Sequence, residues 1–173
     1  RLTTRVGSSF AAELLVRDAT AASAGASRPT ALPADLPAPR TALDAFVLGE
    51  RLLDRATSAP GAEDRRLSAE AAESLVAAIL RSDRPRALFF HRLLLAYGRA
   101  RNVAALDAAS EAALGHWPSS AMTREWIGHG YRIAERPELG LLHYQEARRL
   151  SGDDPRRVYT TAVCLAAAKR PAE

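Results

Sequence analysis

The chain has one cysteine, one lysine and one methionine, and aromatic residues make up only 6% of its 173 positions. With Cys164 alone, no internal disulfide can form and no cysteine-based zinc cluster is available. That scarcity fits a reducing compartment, so a cytoplasmic location is expected. The uncharged apolar runs fall far short of the ~18–20 residues needed to cross a bilayer, which argues against membrane insertion. Residues 1 to 26 hold arginines, a short apolar stretch and a small-residue end, but Glu13, Arg17 and Asp18 interrupt what would be the apolar core of a secretion signal. Catalytic motifs of sharp spacing are missing as well: there is no GxSxG, HExxH, P-loop or GxGxxG. The chain is therefore read as a non-enzyme, with no cofactor and no metal site expected.

What is present is alanine and arginine. Lys169 is the one lysine, so nearly all positive charge is arginine, and an excess of both residues is what a GC-rich, bacterial-like genome produces. Net charge is +4, and even in the more basic stretch, residues 87 to 173, basic side chains outnumber acidic ones by only 12 to 9. A nucleic-acid partner asks for a clustered basic face, so none is expected. With 47% apolar and 25% charged residues, few aromatics and scattered β-branched residues, the chain is expected to be globular and helical, not sheet-forming.

The chain divides into three. Residues 1 to 25 hold an amphipathic helix over 3 to 22, with Val6, Phe10, Leu14 and Leu15 at helical intervals. Residues 26 to 40 are a Pro/Ala/Ser-rich linker whose prolines, Pro29, Pro33, Pro37 and Pro39, forbid a continuous helix. Residues 41 to 170 carry one helical segment after another. Thr41 and Asp44 form a capping box with Asp in the usual Glu position, opening a helix with Leu43, Phe46, Val47, Leu52 and Leu53 that ends near Thr57. A polar loop is expected over 58 to 67, after which Ser68 caps a helix to about Arg81. Four segments follow at about 86 to 100, 103 to 115, 120 to 134 and 137 to 151, and Pro155 starts a last one behind Asp153 and Asp154. Short connections between helices of this length require antiparallel hairpins.

An internal period tests the hairpins. Tyr97 and Tyr131 are 34 residues apart, as are Leu93 and Ile127, Ala100 and Ala134, and Ala113 and Ala147. The unit Ile127, Gly128, Tyr131, Gly140, Tyr144, Ala147 resembles the tetratricopeptide repeat, whose period is 34. The preceding unit matches through Leu93, Tyr97, Ala113 and Pro118. It departs through Leu94 where the family has Gly, Leu106 where it has a small residue, and Ser110 where it has an aromatic; after the second unit, Pro155 falls three residues late. The resemblance covers about residues 86 to 155. It implies an all-α fold of antiparallel hairpins stacked as an α-solenoid, and a scaffold or adaptor that holds a peptide or helix of another protein in a concave groove. The register implies groove positions Leu88, His91, Leu95 and Arg99 from one repeat, and Met122, Glu125, His129 and Arg132 from the next, with Trp126 divided between core and groove. His91, Leu95, Glu125 and His129 replace the Lys and Asn of the family's carboxylate clamp, so chaperone-tail binding is not expected.

An apolar groove with arginines suits a partner with apolar and acidic residues. The helix over 3 to 22 cannot bury its own stripe and must pack on the array, on a partner or on a second copy as a homo-oligomer. Two further readings compete with the scaffold. One is an all-helical enzyme or accessory subunit using His91, Glu125 and His129 to hold a metal ion. The other is a regulatory domain of a longer polypeptide, since the chain opens on Arg1 and closes at Glu173 just after one helix of a further repeat. Cys164 is expected to be a small packed residue, and Trp117 to pack between repeats.

Overall fold

The computed structural model describes residues 39–84, 86–152 and 154–168. The amphipathic helix expected over 3 to 22 and nearly all of the linker lie outside the described residues, as do residues 169 and 170. Among the described residues there are seven helices and no strand, so the all-helical expectation holds. None of these helices is long and apolar enough to cross a membrane. We number them α1 (Ala42–Ser58), α2 (Gly61–Leu80), α3 (Ala87–Ala100), α4 (Val103–His116), α5 (Ala121–Ile133), α6 (Pro137–Ser151) and α7 (Pro155–Ala168).

α1 begins on a reciprocal cap. The Asp44 amide donates to Thr41 Oγ1 at 3.1 Å, and the Thr41 amide donates to Asp44 Oδ2 at 2.9 Å, satisfying two amides that no helical carbonyl reaches. Its buried stripe is Ala45, Leu48, Leu52 and Ala56. Leu43 and Val47, among the apolar residues of this helix, face outward.

The second helix departs from expectation. No polar loop spans 58 to 67, because α2 starts at Gly61 directly after Pro60. Gly61 takes φ +46, a left-handed value that glycine adopts without Cβ strain, so the chain reverses within two residues. Glu63 and Asp64 sit in the first turn, where the helix dipole favours acids. Arg66 pairs with Glu63 at 2.6 Å and with Glu70 one turn on. Ser68 is therefore an internal helical residue. It is fully buried, and its hydroxyl donates to Asp64 Oδ1 at 3.1 Å. Polar composition had suggested a loop there, but i, i+3 and i, i+4 pairing extends the helix through it.

From α3 onward the expected boundaries hold to within one or two residues. Asn102 caps α4 through the Ala105 amide, Ser120 caps α5 through the Thr123 amide, and Pro137 and Pro155 each open a helix where a missing N–H costs nothing. α3, α5 and α7 start 34 residues apart in turn, and so do α4 and α6. Arg101 and Glu135, also 34 apart, end α3 and α5 in the left-handed conformation at φ 57 and 62, and their side chains pair with each other.

α1 packs on α2, α2 on α3, α3 on both α4 and α5, α5 on α6, and α6 on α7. One apolar core runs through α1 to α5, centred on Leu52, Leu75, Leu93, Leu94, Leu106 and Ile127. Tyr97 and Tyr131 are both buried in it. The Tyr131 ring stacks on His143 of α6, centroids 5.5 Å apart, while its hydroxyl donates to Asp107 of α4. Trp117 packs within the α3–α4 hairpin, edge-on to Phe90 at 5.5 Å, and not between hairpins as expected.

Glycines set the helix spacing. A Cβ on Gly98 would meet the Gly130 carbonyl at 2.6 Å, so α3 and α5 touch backbone to backbone. Gly128 and Gly140 bring α5 against α6 in the same way. In the preceding hairpin Leu94 and Leu106 hold those two positions. The Leu106 side chain lies over Gly130, within 2.9 Å of where a Cβ would stand, so the bulk removed from one helix is filled by its neighbour.

Candidate functional site

α5 has two faces. Thr123, Ile127 and Tyr131 turn into the core, and Met122, Glu125, Trp126, His129 and Arg132 turn the other way at intervals of three and four. With Tyr159, Thr160 and Val163 of α7 and Tyr144 of α6, that second face lines a cavity of about 700 Å³. Register accounts for the opening. Thirty-four residues on from Gly98 and Gly130 stand Arg132 and Cys164, so the pair that lets α3 and α5 touch is replaced by a guanidinium and a thiol. α7 packs on α6 and meets α5 much less closely than α5 meets α3. The cavity lies between α5 and α7.

Its walls are mainly apolar. Met122 and Tyr159 stand at the solvent edge, 55% and 71% exposed. Trp126 packs partly against the core and also lines the cavity, so it stands at both of the positions that the sequence left open. It stacks on His91 at 5.5 Å and 16°, and meets His129 edge-on at 5.8 Å.

The polar groups gather around Arg132. Its Nη2 lies 3.4 Å from His129 Nδ1, in position to donate to a neutral imidazole. Burial, with the Arg132 charge adding to it, pushes the His129 pKa below the usual imidazole range and keeps that ring neutral. Tyr144 is 2% exposed, and no described residue makes a hydrogen bond of good geometry with its hydroxyl. Burial raises its pKa to about 12, opposed by the neighbouring Arg132 guanidinium, so the phenol holds its proton at all physiological pH. Glu125 stands seven residues before Arg132 on the same helix, about 10 Å away along the axis.

The structure brings together Met122, Glu125, Trp126, His129 and Arg132 as the register predicts. The four residues from the preceding repeat are placed otherwise. His91 is 4% exposed, stacked on Trp126, with its Nε2 outside hydrogen-bonding reach of any described residue. Its burial lowers its pKa to about 4. Leu95 packs partly buried against the core. Arg99 is not a free groove cation: its Nη2 and Nε both lie 3.0 Å from Asp64 Oδ1 on α2. Leu88 is exposed but does not line the cavity. The expected continuous groove is thus a cavity at the α5–α7 end. In the α3 half, α3 packs closely on α5 through Gly98 and Gly130, and Arg99 is paired with Asp64.

His91 and His129 are both held against the Trp126 indole, one stacked on it and the other edge-on. Among the described residues no group of three or more His, Cys, Asp or Glu side chains is placed to hold a metal ion. Cys164 is fully buried, as expected, and its thiol donates to the Pro137 carbonyl at 3.1 Å. Sequence reasoning missed the contributions of Tyr144, Tyr159, Thr160 and Val163. Tyr144 was visible only as a repeat position, and α7 as a helix whose facing could not be read. Comparison with protein-family models and with curated proteins returned no match.

Proposed function

We propose that the chain is a tetratricopeptide-like interaction module that performs no chemistry of its own and docks a peptide or helix of a partner protein, carrying apolar and acidic residues, in the cavity between α5 and α7. The observation that carries this reading is the α5 face itself. Met122, Trp126 and Arg132 form an apolar stripe ending in a cation, left uncovered on an otherwise well-packed helix. An isolated apolar residue on a surface means little, but an aromatic-lined concave patch beside an arginine has the make-up of an interface anchor. Support for the repeat comes from the 34-residue recurrence of helix starts and of the left-handed residues Arg101 and Glu135.

The test is site-directed photocrosslinking in the native source. A benzophenone side chain at Met122 or Tyr159 is expected to capture one discrete protein partner. The same group at Leu142, exposed on α6 away from the cavity, is expected to capture none. Equal capture at all three sites, or capture only at Leu142, sinks the reading.

A further inference from the structure

The cavity also has the size and chemistry of a small-molecule site, which goes beyond protein docking and does not depend on it. Ligand pockets are mostly apolar clefts of roughly 300–1,000 Å³ with a few convergent polar groups. This one, at about 700 Å³, is walled by Trp126, Met122, Val163 and Tyr159. At one end, beside the His129 ring that can accept from Arg132, two groups offer hydrogen-bond donors. Arg132 has only donors, and Tyr144 carries an O–H with no acceptor among the described residues. The hydroxyl oxygen lies beside the Arg132 guanidinium, but its own proton has no acceptor, so an acceptor brought to that end gains a hydrogen bond that the fold leaves unmade. Glu125, the acid of the lining, stands two helical turns from Arg132 and its charge is felt weakly at Tyr144, so the Arg132 guanidinium, nearer to that hydroxyl, has to outweigh it for an anion to bind there.

We propose that the cavity between α5, α6 and α7 binds a small apolar carboxylic acid, its hydrocarbon body against Trp126, Met122 and Val163 and its carboxylate held by the Arg132 guanidinium and the Tyr144 hydroxyl. The guanidinium fork matches a carboxylate through two parallel N–H bonds, which a neutral amide or alcohol cannot reproduce. The hydroxyl is covered in the empty cavity. Engaging it therefore requires the Arg132 side chain beside it to shift so that both groups face the carboxylate.

The full chain is titrated by calorimetry with octanoate, 4-phenylbutyrate and 1-naphthylacetate, each paired with its primary amide, while tryptophan fluorescence is followed. At least one acid is expected to bind with one-to-one stoichiometry and to shift the emission, its amide binding about tenfold or more weaker. Arg132→Gln is expected to bring the acid down to the level of the amide, Arg132→Lys to fall between, and Tyr144→Phe to weaken the acid by about threefold to tenfold with little change for the amide. Tyr144→Phe keeps the ring, and an unchanged thermal midpoint confirms that the variant is folded. Acids and amides binding alike, Arg132→Gln binding as the wild type, or no acid binding at millimolar concentration would each overturn the proposal. A partner captured at Met122 in the photocrosslinking experiment leaves these outcomes unaffected, so the two readings fail separately.

Discussion

His91 illustrates how much a single side chain depends on its neighbours. It is buried against the Trp126 face, with its Nε2 unpaired among the described residues. The imidazole is therefore stable in the fold only while neutral. In the unfolded chain it takes up a proton near pH 6.5, but in the folded chain only near pH 4. Between those values the unfolded state binds more protons, so stability falls as pH drops through the window and is constant above it. The slope approaches about 1.4 kcal/mol per pH unit for one such group. His143, stacked on Tyr131 and also lowered to about 4 by burial, adds to it in the same direction. Replacing His91 with Phe keeps a ring on Trp126 and removes the titrating group. The variant is expected to match or exceed wild-type stability at pH 7.5, and at pH 4.5 to have lost about 2 kcal/mol less than wild type. Urea unfolding at the two pH values checks this. An equal loss in both proteins would show that His91 is not the buried neutral ring described here.

At the scale of elements, pairs of small residues decide which helices touch. Alanine favours a helix interior over glycine by about 1 kcal/mol, so Gly98→Ala would stabilise an isolated α3. Within the fold the added methyl would stand 2.6 Å from the Gly130 carbonyl, a backbone atom that cannot rotate away. Overpacking typically costs about 1–3 kcal/mol, and with the obstacle being backbone the upper part of that range applies. Gly98→Ala is thus expected to destabilise the chain by about 2 kcal/mol net, read from thermal or denaturant unfolding. Gly115→Ala, whose Cβ would meet nothing within 4 Å, is the matched control on α4 and is expected to be neutral or stabilising. A Gly98→Ala protein as stable as wild type would mean that α3 and α5 do not approach so closely. At the α5–α7 end, where the cavity lies, Arg132 and Cys164 stand 34 residues on from that glycine pair.

For the whole molecule, the α1–α2 hairpin is joined to the rest mainly through α3. Two arginines on α3 reach back to it: Arg92 to Glu50 of α1 at 2.9 Å, and Arg99 to Asp64 of α2 at 3.0 Å. Arg99 therefore acts in the scaffold and not in the groove. Arg99→Asp is expected to lower stability by about 1 kcal/mol, since it loses a partly exposed pair and places two acids together. The exchanged pair, Arg99→Asp with Asp64→Arg, is expected to recover part of the loss, and a double-mutant cycle measures that coupling. Strict additivity of the two single changes would deny the contact. Small-molecule binding is expected to be unchanged throughout, because neither residue lines the cavity.

Much of the fold was legible in the sequence because its signals are local. The Thr41–Asp44 cap, the prolines at 137 and 155, the caps at Asn102 and Ser120 and the 34-residue spacing each act within one helix or one hairpin, where residue identity alone determines the physics. The start of α2 was misread because its polar run is held helical by ion pairs, Arg66 with Glu63 and Glu70, which look the same in composition as a loop. The candidate site was half legible. The α5 stripe from Met122 to Arg132 follows from helical periodicity, which is a local property. Whether Arg99 faces a groove or an acid, whether His91 is exposed or stacked, and whether α7 closes against α5 or leaves a cavity over Tyr144 depend on distances between helices. Those distances are set by which side chains meet at each crossing, and only the tertiary structure brings Gly98 to Gly130 or puts Asp64 within reach of Arg99.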